Sequence, residues 1–119
     1  MLLWHNLKDA EKDNIRIFFR RLIMKIEKIQ NGDSVTLALQ GWLDTQAAPE
    51  LEKELEGLGD DVKSLEFDCK ALEYVSSSGI RQFVAAYKKM SGNFKLTGVS
   101  AEIMDVLNMT GISKRITIE

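Results

Sequence analysis

The sequence predicts an α/β domain built on a mixed, mostly parallel sheet of four to five strands. Three features predict it. From residue 24 onward, apolar residues at strand spacing alternate with apolar residues at helical spacing. An Asn-Gly pair, Asn31-Gly32, separates the first two strand-like runs. The later strands are separated by helical stretches of the kind that bridge neighbouring parallel strands.

The elements follow in order. Ile26 and Ile29 mark a short first strand, and Asn31-Gly32 a tight hairpin turn. Val35, Leu37 and Leu39 alternate with Thr36, Ala38 and Gln40, as a strand with one buried face does, and Gly41 is expected to end it. Thr45 to Gly57 reads as a helix carrying Leu51, Leu55 and, just beyond, Leu58, with Pro49 in an early turn, where proline is tolerated. Val62 to Cys69 forms the next strand, with Leu65, Phe67 and Cys69 on one face. Trp42 and Tyr74 are placed after strands, as exposed contacts or as lids on the core. Ile80, Phe83, Val84 and Tyr87 form a helical stripe stopped by Ser91-Gly92-Asn93. Phe94, Leu96 and Val99 suggest another strand. Ser100 caps a helix with Ile103, Val106 and Leu107 that Gly111 closes, and Ile116 and Ile118 suggest a short final strand.

Residues 1–23 stand apart from this pattern. Ile15, Phe18, Phe19 and Leu22 are spaced as on an amphipathic helix, and the surrounding charges are of both signs. This favours a packed or self-associating helix over a lipid anchor, whose polar face is consistently basic. The expected organisation is an N-terminal helical extension, residues 1–23, and a domain over 24–119. The extension is expected to cover a groove on the domain or on a neighbouring copy, which would make it a source of homodimers. Met24 is a candidate internal start.

Composition narrows the function. The 119 residues are 45% hydrophobic and 29% charged, an ordinary globular balance, and 16 Lys+Arg against 18 Asp+Glu leave a net charge of −2. That charge offers no general attraction to nucleic acid or anionic lipid. No apolar run reaches a membrane-spanning length, and the start does not read as a signal peptide, so a cytoplasmic location is expected. One Cys and one His cannot build the usual zinc cage, and neither a metal nor a cofactor is expected. The lone Cys69 reads as a buried structural thiol.

Enzyme chemistry finds no footing. His5 is remote in sequence from the serines, and there is no nucleophile elbow, phosphate loop or dinucleotide fingerprint. Glu50, Glu52, Glu54 and Glu56 share one helix and read as its solvated side. What remains is Leu72 to Arg81, Leu-Glu-Tyr-Val-Ser-Ser-Ser-Gly-Ile-Arg. One serine suffices as an N-cap; three, followed by Gly79, give a strand-to-helix loop of small side chains at a helix N-terminus, which suits a phosphoryl group.

Three stretches together resemble the STAS family, shared by bacterial anti-sigma factor antagonists and the cytoplasmic tails of sulphate transporters. They are Gly41-Trp42-Leu43-Asp44 with Ala48-Pro49-Glu50-Leu51, the strand and serine loop from Leu65 to Arg81, and Asn108-Met109-Thr110-Gly111-Ile112. The resemblance covers residues 24–119. It implies a regulator of transcription that binds a protein partner and is not an enzyme. In the antagonist branch, the domain captures an anti-sigma factor with serine kinase activity, is phosphorylated by it and released, and is reset by a PP2C-type phosphatase. The phosphoacceptor position falls on Ser77, with Ser76 and Ser78 as alternatives, because many members carry Asp where this chain has Ser76. Asp44 matches the family's acidic residue near that serine, and Asp44, Ser76, Ser77, Ser78, Gly79 and Arg81 form the implied partner-binding set. The alternative is a non-switching scaffold or ligand-sensing domain with the serines as caps only.

Overall fold

The computed structural model describes residues 24–119, together with Lys8 and Lys12. The expected helix over residues 1–23 therefore lies outside the described residues.

The chain runs β1 (Lys25–Asn31), β2 (Ser34–Leu43), α1 (Ala48–Glu56), β3 (Ser64–Val75), α2 (Ser77–Lys89), β4 (Phe94–Thr97), α3 (Ala101–Met109), a 3-10 turn (Ile112–Lys114) and β5 (Thr117–Ile118). The five strands lie side by side in chain order. β1 pairs antiparallel with β2, whereas β2–β3, β3–β4 and β4–β5 are parallel. This is the predicted α/β domain with a mixed, mostly parallel sheet.

Each crossover steps one strand in the same direction. Connections of the usual right hand then put all three helices on one face of the sheet. Burial agrees. Val35, Leu37, Leu39 and Leu43 of β2 and Leu65, Phe67, Cys69, Leu72 and Val75 of β3 are buried, as are Leu51 and Leu55 of α1, Phe83 and Ala86 of α2, and Ile103 and Leu107 of α3. Phe67 sits at the centre, edge-on to Phe83 and Phe94 with ring centroids 5.6 and 4.7 Å away. The opposite face is more polar: Thr97 Oγ1 donates to Glu66 Oε2 at 2.8 Å, and Lys95 Nζ reaches Glu119 Oε2 at 3.1 Å.

Several sequence-based boundaries need correction. The hairpin loop is Gly32–Asp33 rather than Asn31-Gly32, and only Gly32 of that pair takes a positive φ, 61°. Gly41 does not end β2. At φ 100° it sits beside register shifts in the β2–β3 ladder, which let the strand continue to Leu43. β3 likewise runs six residues past Cys69, to Val75. Trp42 and Tyr74 thus lie within strands, directly paired across β2 and β3. α1 starts at Ala48 rather than Thr45, because Asp44 to Ala47 form a separate turn with Pro49 just behind it. Val99 lies beyond β4, and Ile116 is a core residue outside β5.

Candidate functional site

The sheet hydrogen-bonds β2 to β3 as parallel neighbours, so both strands deliver their following loops to the same end. Leu43–Asp44 and Val75–Ser76 leave the sheet there side by side, tied by the Ser76 amide donating to the Leu43 carbonyl at 2.9 Å. A crevice at the carboxyl ends of parallel strands is the ordinary ligand end of such sheets.

Within this end the three serines have different tasks. Ser76 is extended, φ −90° and ψ 174°, and its Oγ accepts the Gly79 amide at 3.2 Å: it is the N-cap of α2. Its carbonyl accepts the Ile80 amide at 2.9 Å, closing the first turn. Ser78 is half-buried, with its Oγ 3.5 Å from Thr45 Oγ1 in the neighbouring loop. Ser77 is exposed. The Ser77 and Ser78 amides belong to the first helical turn, where the helix itself supplies no carbonyl. They leave a positive helix end with no acidic side chain in its first turn.

Gly79 explains how the helix approaches so closely. A Cβ there would lie 2.7 Å from Leu43 Cγ, 2.8 Å from the Leu43 carbonyl oxygen and 2.8 Å from Val75 Cγ2. A bare α carbon is what lets α2 start directly on the ends of β2 and β3.

Asp44 orders the facing loop. Its Oδ1 accepts the Gln46 and Ala47 amides at 3.1 and 2.9 Å, and its carbonyl accepts the Ala48 amide at 2.9 Å. Ala47 occupies the N-cap position of α1 without a side-chain cap of its own, so Asp44 shapes the turn before the helix instead. Arg81 is exposed one turn beyond Ser77, at the i, i+4 spacing that puts two side chains on one helix side. The structure thus gathers Asp44, Ser76, Ser77, Ser78 and Gly79 at one end of the sheet, with Arg81 on the adjoining turn.

Two features escaped the sequence reading. Thr45 approaches Ser78 across two loops, and no local signal marks that pairing. Trp42 and Tyr74 form a tilted ring pair, centroids 4.7 Å apart and planes at 34°, with Tyr74 41% exposed. Their i and j positions on paired strands were hidden by the misplaced strand ends.

Cys69 is a core residue, 1% exposed, whose Sγ donates to the Phe67 carbonyl at 3.6 Å. Burial, with the carboxylates of Asp68 and Glu66 nearby, pushes its thiol up from 9.0 to about 12. It has the environment of a structural thiol.

The family model for the STAS domain matches residues 25–119. The chain belongs to the STAS domain family. Among curated proteins, the anti-sigma-B factor antagonist of Bacillus subtilis is 26% identical over 98 residues, covering 80% of this chain and 90% of that protein. An anti-sigma factor antagonist from Mycobacterium paratuberculosis superposes with a TM-score of 0.73 at 20% identity, covering 81% of this chain and 85% of the other. The Bacillus cell fate determinant SpoIIAA in its phosphorylated form gives 0.63 at 17% identity, covering 82% and 91%. At those identities the two structures speak for the fold. No helix among the described residues is long and apolar enough to cross a membrane.

Proposed function

We propose that this STAS domain is an anti-sigma factor antagonist, a non-enzymatic binding module that regulates transcription by sequestering an anti-sigma factor. The partner carries serine kinase activity and docks over the end of the sheet that presents Asp44, Ser76, Ser77, Ser78, Gly79 and Arg81. Phosphorylation of Ser77 releases it, and a PP2C-type phosphatase restores binding. The supporting observation is the division of labour among the serines: Ser76 is occupied as a cap and Ser78 faces Thr45, while Ser77 is exposed on the first turn. The similarity to the Bacillus subtilis anti-sigma-B factor antagonist supports the antagonist reading.

The switch follows from charge. A phosphoserine carries about −1.5 to −2 charges near neutral pH. In the free domain the helix N-terminus and solvent accommodate that charge, so the fold is retained. Under a bound partner the group must shed water, and an unpaired buried charge costs several kcal/mol. A loss of about 3–4 kcal/mol weakens binding several-hundredfold.

The test is a pull-down from the native cell with mass spectrometry, followed by binding measurements on variants. Ser77→Ala is expected to hold the partner constitutively and Ser77→Asp to hold it weakly, both melting close to the unmodified protein. Phosphate on Ser76 or Ser78 of the Ser77→Ala protein, with release of the partner, would move the assignment to that serine. A captured partner with no kinase activity, held equally by all variants, would favour the non-switching scaffold.

A further inference from the structure

α2 carries no carboxylate anywhere along Ser77–Lys89. Its cations are Arg81, near the start, and Lys88 and Lys89 in the last turn, where a helix favours positive charge. Arg81 has no such reason for its place. A side chain on a helix meets those three and four residues away, and for Arg81 these are Ser77, Ser78, Val84 and Ala85. None is an acid. Among the described residues the ion pairs join Lys70 to Asp68 and Lys95 to Glu66 and Glu119, and none reaches Arg81. The groove that Arg81 borders, with Ile80, Val84, Ala85, Lys88 and Ile112, is likewise free of carboxylates. Asp44, on the facing loop, has its Oδ1 committed to the Gln46 and Ala47 amides. An exposed guanidinium thus stands one turn from the exposed Ser77, without an ion-pair partner among the described residues.

The direction of the pair also fits. Helical side chains lean toward the helix N-terminus, so the long Arg81 side chain is directed back over the turn that bears Ser77. An anion four residues before a cation is the better of the two orders along a helix. A phosphate offers several acceptor oxygens, and the planar guanidinium fork binds two of them at once. The neighbouring serines are placed less well. Ser78 Oγ faces Thr45 Oγ1, and Ser76 lies outside the three-to-four spacing with its Oγ engaged by the Gly79 amide.

We propose that Arg81 is the counter-ion of a phosphate on Ser77, and that in the phosphorylated domain its guanidinium clamps that phosphate across the first turn of α2. The inference rests on the reading of Ser77 as the phosphoacceptor. It adds a second arm to the switch: the modification puts negative charge into the docking surface and at the same time withdraws Arg81 from it.

The test uses the full chain with phosphoserine genetically encoded at position 77, so that neither kinase nor partner is needed. Phosphorus NMR titration reads the second ionisation of the phosphate, ordinarily near pH ~6. A paired guanidinium favours the dianion and lowers that value. Arg81→Gln should therefore raise it by about 0.2–0.4 units, the worth of an exposed i, i+4 ion pair. Arg81→Lys should give back part of the shift. Lys88→Gln, about 16 Å along the helix from Ser77, should leave the value where it was. A value indifferent to Arg81→Gln, or one that Lys88→Gln moves as far, would overturn the clamp. Melting is the second readout: the phosphate should raise Tm more in the parent chain than in Arg81→Gln, and an equal change in both would also overturn it. Failure of the clamp leaves partner capture by the unphosphorylated domain standing. Failure of the antagonist reading shows instead as no partner in the pull-down, whatever the titration gives.

Discussion

Gly79 is the residue on which the serine end of the molecule depends for its shape. In an unconstrained helix, Gly→Ala gains about 1 kcal/mol of propensity. Here the added methyl would meet the Leu43 backbone and two packed side chains at under 3 Å. Gly79→Ala is therefore expected to destabilise the domain by about 1–3 kcal/mol, the usual cost of overpacking. Urea unfolding checks it, and an unchanged or higher midpoint would mean α2 can slide off β2 freely. Cys69 sets a pH dependence. Its folded pKa, about 12, lies above the ordinary 9.0, so the folded state holds its proton more tightly. That contribution to stability is complete below about pH 9 and is lost as pH rises toward 12. The thiol should resist thiol-reactive dyes at pH 8 until denaturant is added, and Cys69→Ala should flatten the fall in stability above pH 9. Cys69 was legible as a core residue from its alternation with Leu65 and Phe67. The raised thiol was not, because it depends on Asp68, Glu66 and the whole enclosing core.

At the level of elements, the serine run shows how one local pattern supports two outcomes. Only one serine can cap α2, and the hydrogen bond from Gly79 to Ser76 Oγ decides which. Ser76→Ala should cost about 0.5–2 kcal/mol as a lost N-cap. Ser77→Ala, on an exposed first-turn position, should stay within about 0.5 kcal/mol. Equal losses at both positions in thermal melts would mean that the cap is shared. The helix start at Ser100 was readable in advance, since a side-chain cap is a local bond: Ser100 Oγ accepts the Ile103 amide at 3.2 Å. Strand ends were not. Gly41 looked like a terminator, yet its positive φ accompanies an irregularity that carries β2 onward to Leu43. A bulge is a relation between two strands, and alternation along one strand does not show it.

For the molecule as a whole, one continuous core cluster joins β2, β3 and β4 to α1, α2 and α3. Residues 24–119 are accordingly expected to fold as a cooperative monomer, with a single urea transition. Loss of that transition would make residues 1–23 part of the core. The sequence by itself determined the class of the domain, its order of strands and helices and the apolar side of most of them, because periodicity and capping are written locally. It also marked Asp44 and the run Ser76 to Arg81 as worth following. Only the tertiary structure decided that Asp44 and Ser76 leave the sheet together, that Thr45 meets Ser78 and that Trp42 stacks on Tyr74. Those pairings join residues about thirty positions apart, and their distances are set by the parallel register of β2 and β3, which no stretch of either strand specifies without the other.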